Sequence, residues 1–179
     1  MNNREKVLKI LFEESYREFH LRLLARLTKL NPNTVLTIAS ALAREKIIKK
    51  HKHRDTRLVI VKANTESRDF KLLKQFYNIK KLYQSGLIDH LEKTYDHPTI
   101  ILFGSYNKAE NRPGSDIDLF IVTDYTRVCD VSQYSKKLGA EVQLFVHSRQ
   151  EFNQIKKTSK ELLNNVLNGY KLAGYLEVV

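Results

Sequence analysis

Asp116 and Asp118 stand one residue apart at the opening of an apolar run, Leu119-Phe120-Ile121-Val122. A second apolar run, Pro98 to Phe103, ends in Gly104-Ser105, and ten residues separate Ser105 from Asp116. Side chains alternate along a strand, so Asp116 and Asp118 share one face while Ile117 and Leu119 turn away. Two carboxylates this close repel each other unless positive charge lies between them. Mg2+ suits that place, because it takes hard oxygen ligands and bridges substrate phosphates. Asp-x-Asp alone is common and a lone Gly-Ser is commoner. Their pairing at this distance, between two hydrophobic strands, is a much stronger sign.

Other elements must hold these residues in place. The turn Pro113-Gly114-Ser115 separates the two strands, and the segment after Gly104-Ser105 reads as a loop or short helix. A third strand is expected over Ala140 to Val146, with Glu141 and Gln143 on one face. Residues 149–172 read as a helix or helix pair, with Phe152, Ile155, Leu162, Leu163, Val166 and Leu167 inward. Upstream, residues 65–95 read as helical, with Phe70, Leu72, Leu73, Phe76 and Tyr77 on one side and a break at Ser85-Gly86.

The arrangement G-S-x10-D-x-D resembles the signature of the DNA polymerase β-type nucleotidyltransferase superfamily. The context "ILFGSYNKAENRPGSDIDLFIV" is similar to its minimal branch. The resemblance implies a mixed sheet with helices packed on one side, over residues 96–179. It also implies that Gly104 lets a nucleoside triphosphate such as ATP approach the backbone and that Ser105 donates to a phosphate. Asp116 and Asp118 would hold two Mg2+ ions, for attack of a hydroxyl on the α-phosphate. Lys108 and Arg112 could neutralise triphosphate charge. Two positions depart from the family pattern. Relatives commonly carry a second glycine where Ala109 stands, a mild change if its backbone is helical. A third carboxylate is usual on the later strand, where this chain has Gln143. Glu141 could take its catalytic role, or be a surface residue at the strand's end.

The first third of the chain is read separately because its charge differs. Residues 1–64 hold 15 Lys/Arg against 6 Asp/Glu, a balance of +9, out of +11 for all 179 residues. Such asymmetry points to two functional units and a polyanion partner for the first. A helix is expected over residues 4–13, a brief extended segment at Glu18-Phe19-His20, and a short helix from His20 to Leu27. Asn31 suits an N-cap and Pro32 the first position of a helix that runs to Lys46. Strands at Ile47-Ile48 and Leu58 to Val61 would flank a charged turn, Lys49 to Arg57. This order resembles a winged helix-turn-helix over residues 1–63, joined to the second unit by a helical connector, 64–95. The resemblance implies an α/β (α+β) chain that binds double-stranded DNA as a homodimer. Asn33, Thr34 and Thr37 would read bases, and Lys49, Lys50, Lys52, Arg54 and Arg57 would meet phosphates. His51 and His53 lack nearby acids or thiols and read as surface residues.

The rest of the composition excludes alternatives. Cys129 is the one cysteine, which rules out an internal disulfide and a thiolate zinc site. No apolar run is long enough to cross a bilayer, and charges interrupt the first ten residues, so a cytoplasmic protein is expected. Two functions follow. One is a DNA-binding nucleotidyltransferase that moves AMP from ATP to a hydroxyl of a protein or other acceptor, in the manner of an antitoxin acting on a toxin-like partner. The other is a transcription regulator whose second unit has lost catalysis and senses nucleotide or mediates contacts.

Overall fold

The computed structural model describes residues 1–53, 58–125 and 127–177, which fall into two compact units, Met1–Tyr77 and Asn78–Val179. In the first unit, α1 (Asn3–Glu13) starts at a capping box. The Asn2 side chain accepts from the Glu5 amide, and Glu5 accepts from the Asn2 amide. Its Val7, Leu8, Leu11 and Phe12 are buried. The segment β1 (Glu18–His20) leads into α2 (Leu21–Thr28), which ends with Lys29 in the left-handed region. Asn31 then caps α3 (Pro32–Arg44) by accepting from the Asn33 amide at 2.9 Å, with Pro32 in the first turn, as expected.

The strands β2 (Ile48–Lys52) and β3 (Val59–Ala63) pair antiparallel, and β3 also pairs with β1, giving the order β1-β3-β2. The expected charged turn is shorter than the sequence suggests. Lys49, Lys50 and Lys52 lie within β2, where ladder hydrogen bonds to β3 carry the pairing to Lys52↔Val59. Arg54 and Arg57 lie outside the described residues.

The unit boundary falls inside α4 (Arg68–Ser85), between Tyr77 and Asn78. Phe70 is buried, and Leu73 and Tyr77 pack against the core of the first unit. Phe12 meets the Phe70 and Tyr77 rings at 5.5 and 5.3 Å. Leu72 and Phe76, expected on the same side, are instead 52% and 66% exposed. The reason is angular: positions 70, 73 and 77 form one helical stripe, and 72 and 76 form another.

The second unit contains α5 (Leu87–Tyr95), β4 (Thr99–Phe103), α6 (Gly104–Asn107), β5 (Ile117–Val122), α7 (Ser132–Leu138), β6 (Val142–His147), α8 (Arg149–Thr158), α9 (Lys160–Leu167) and β7 (Tyr170–Ala173). Its sheet has the order β6-β5-β4-β7, with β5 and β6 parallel and the other pairs antiparallel, so it is mixed as expected. The helices are not confined to one side. Ile100, Leu102, Ile117, Leu119 and Ile121 pack with Leu87, Ile88, Leu91 and Tyr95 of α5 and Leu138 of α7. Ile101, Phe103, Phe120 and Val122 pack in a separate cluster with Phe152 of α8 and Val166 of α9. Both alternating sets on β4 and β5 are apolar, so each face needs a cover.

The helical reading of 149–172 also runs too far. Leu167, the last residue of α9, is 45% exposed, and residues 170–173 form the edge strand β7. Gly169 permits the approach, because a Cβ there would come within 2.5 Å of Ile101 and 2.7 Å of the Leu102 carbonyl. Among the described residues, no helix is long and apolar enough to cross a membrane.

Candidate functional site

The chain leaves β4 at Phe103 and turns at once. Gly104 has φ +69, a conformation that costs any residue with a Cβ. A Cβ at Gly104 would also collide with the carboxylate of Asp118. The missing side chain thus makes room for the Asp118 carboxylate as well as for a turn. Ser105 follows in α6, half-buried, and its carbonyl accepts from the Glu110 amide at 2.9 Å.

Buried amides hold the segment that follows. Asn78 donates to the Tyr106 carbonyl and to Asn111 Oδ1, both at 2.9 Å, and Asn107 donates to the Asn168 carbonyl at 2.9 Å. Sequence reasoning missed these positioning residues. Their faint signal is a polar amide inside an otherwise apolar helical stripe, as at Asn78. Ala109 has φ +58 and is buried, so its backbone is left-handed and the condition for a mild change, a helical backbone, is not met. A glycine at this position would suit that conformation without the cost of about 1 kcal/mol that a Cβ brings.

The two carboxylates arrive from β5. Asp118 sits opposite Phe103 in the β4–β5 register and opposite Gln143 in the β5–β6 register. Asp116 precedes β5, and its Oδ2 accepts from Gln143 Nε2 at 2.8 Å. Both acids are half-buried. Burial raises the Asp118 carboxyl above its ordinary pKa, and the neighbouring Asp116 charge pushes it further the same way. A divalent cation would relieve that repulsion, so Asp116 and Asp118 fit a hard-ion site. Among the described residues, no group of three or more His, Cys, Asp or Glu is placed to hold a metal. Glu141 is exposed, just before β6, with its carbonyl accepting from the Ile117 amide at 2.7 Å. Lys108 and Arg112 are both exposed in the segment between Ser105 and Asp116.

In the first unit, Asn33 and Thr37 are exposed on α3, Thr34 is half-buried, and Thr37 Oγ1 donates to the Asn33 carbonyl at 3.0 Å. Lys49, Lys50 and Lys52 are exposed, and Lys50 Nζ donates to Ser40 Oγ at 2.8 Å. Strand alternation puts Lys50 and Lys52 on one face and Lys49 on the other. Cys129 is half-buried with its thiol 3.8 Å from Thr94 Oγ1, and burial raises its pKa.

Compared with curated proteins, the chain has no match. Residues 85–173 match the family described as "Polymerase beta, Nucleotidyltransferase", a span that runs from the end of α4 through β7 and encloses Gly104, Ser105, Asp116 and Asp118. Within its second unit the protein is therefore similar to nucleotidyltransferases of the polymerase β type.

Proposed function

We propose that the protein is a DNA-binding nucleotidyltransferase that moves an AMP group from ATP to a hydroxyl of a protein or other acceptor, with pyrophosphate leaving as the α–β phosphoanhydride bond breaks. The observation that carries this reading is the convergence of Asp116 and Asp118 beside Gly104-Ser105, on the ends of β4 and β5. Asp116 and Asp118 would hold Mg2+, which supplies charge stabilisation to the attacking and leaving oxygens. Ser105 would donate its hydroxyl to a β- or γ-phosphate oxygen, and Gly104 keeps the turn close to Asp118. Glu141, exposed just before β6, would accept the hydroxyl proton. A Glu141→Gln variant with unchanged transfer would remove it from the reaction.

The first unit supports a winged helix-turn-helix reading, with α3 presenting Asn33 and Thr37 to bases and one face of β2 presenting Lys50 and Lys52 to phosphates. Its charge balance favours double-stranded DNA. A homodimer on paired half-sites, a cytoplasmic setting and a toxin-like protein acceptor complete the reading. The decisive experiment incubates the whole chain with α-labelled ATP, Mg2+ and candidate acceptors, with Asp116→Ala/Asp118→Ala as the control. Transfer that depends on the acids supports the enzyme.

One observation favours a second reading. Gln143, neutral and hydrogen-bonded to Asp116, stands where a third carboxylate is usual. If no label moves while the chain binds duplex DNA in a sequence-specific way, the protein is a regulator whose second unit senses nucleotide.

A further inference from the structure

We infer that Gln143 limits the candidate site to a single divalent cation, by placing an amide where a third negative charge would stand. The inference rests on the reading of Asp116 and Asp118 as cation-holding residues. Three observations lead to it. Gln143 is the register neighbour of Asp118 in the parallel β5–β6 pair, so both side chains leave the sheet on the same face. Its Nε2 donates to Asp116 Oδ2 at 2.8 Å, so the same amide also occupies one oxygen of the other acid. Among the described residues, no third His, Cys, Asp or Glu joins the pair.

Charge then decides the count. Asp116 and Asp118 bring two negative charges when ionised, which one divalent ion balances. Two-metal sites place their ions about 3.5–4 Å apart, a separation at which doubly charged ions repel strongly without further anionic ligands. A third carboxylate would supply that ligand, whereas a glutamine amide supplies no charge. The Asp116 oxygen bound by Gln143 is moreover engaged by a donor. What remains for a cation is the Asp118 carboxylate and the second oxygen of Asp116.

The test counts ions rather than turnover. Mn2+ is titrated into the full-length chain, and the free ion is followed by its electron paramagnetic resonance signal. The expected result is one Mn2+ bound per wild-type chain, none in Asp118→Asn and two in Gln143→Asp. Circular dichroism checks the fold of each variant, and Gln143→Glu serves in place of Gln143→Asp where that variant fails to fold. Two ions on the wild-type chain overturn the inference while leaving the cation reading intact. A single ion on a folded variant with an acid at 143 does the same. No ion on the wild-type chain or on a folded acid variant overturns the cation reading itself. Should neither variant fold, the wild-type count still decides between one ion and two.

Discussion

Asp118 carries an electrostatic cost that has a measurable sign. Its folded pKa is raised, chiefly by burial and then by Asp116. The folded state therefore binds the proton more tightly than the unfolded state, and stability is lost as pH rises through the folded value. Asp118→Asn should raise the melting temperature at pH 7 and give little gain below the ordinary aspartate range. The same variant should abolish any nucleotidyl transfer, which separates a strained functional acid from a structural one. Thermal melts at the two pH values, beside a labelled-ATP assay, check both halves. Gly104→Ala has the opposite outcome. It meets the Asp118 carboxylate and a φ of +69, so it should lower stability at every pH, as read in urea unfolding.

At the scale of elements, the segment between β4 and β5 is held by more than its turn residues. Asn78→Leu removes the donor to the Tyr106 carbonyl and to Asn111, leaving buried acceptors without it. The expected cost is about 1–3 kcal/mol, measurable by urea unfolding. Ala109→Gly relieves a left-handed Cβ and should stabilise by about 1 kcal/mol if the entropy of the unfolded glycine does not offset it, or less if it does. The elements also show how far local patterns reach. Asn31-Pro32 and the capping box at Asn2 are short-range signals with a direct hydrogen-bonding cause, and α1 and α3 begin where they indicate. The edge strand β7 is different. Tyr170-Lys171-Leu172-Ala173 is too short for a periodicity to distinguish strand from helix, and its conformation depends on pairing with β4, about 70 residues earlier.

The whole molecule divides its charge between two units, and the division is testable. If the first unit meets DNA phosphates, duplex binding by the full chain should weaken steeply with salt. Lys50→Ala and Lys52→Ala should each reduce the slope of log affinity against log salt by about 0.9, with little change in sequence preference. Fluorescence anisotropy across a salt series reads this directly. An unchanged slope in both variants would remove β2 from the DNA interface. The two-unit division itself is partly legible in the charge count, whereas the boundary inside α4 is not, because a continuous helical pattern carries no mark of which core each turn joins.

The sequence by itself determined the chemistry on offer. Gly104, Ser105, Asp116 and Asp118, at their spacing between two apolar strands, specify a carboxylate pair beside a tight turn, because strand alternation and glycine's backbone freedom act within a few residues. It also announced the absence of a third acid at Gln143. The tertiary structure alone decided what stands beside what. Registers between distant strands brought Gln143 onto Asp116, filled the space at Gly104 with Asp118 and left Glu141 exposed. It likewise covered both faces of the sheet, since the apolar alternation states that two faces need burial while only packing selects the helices that bury them.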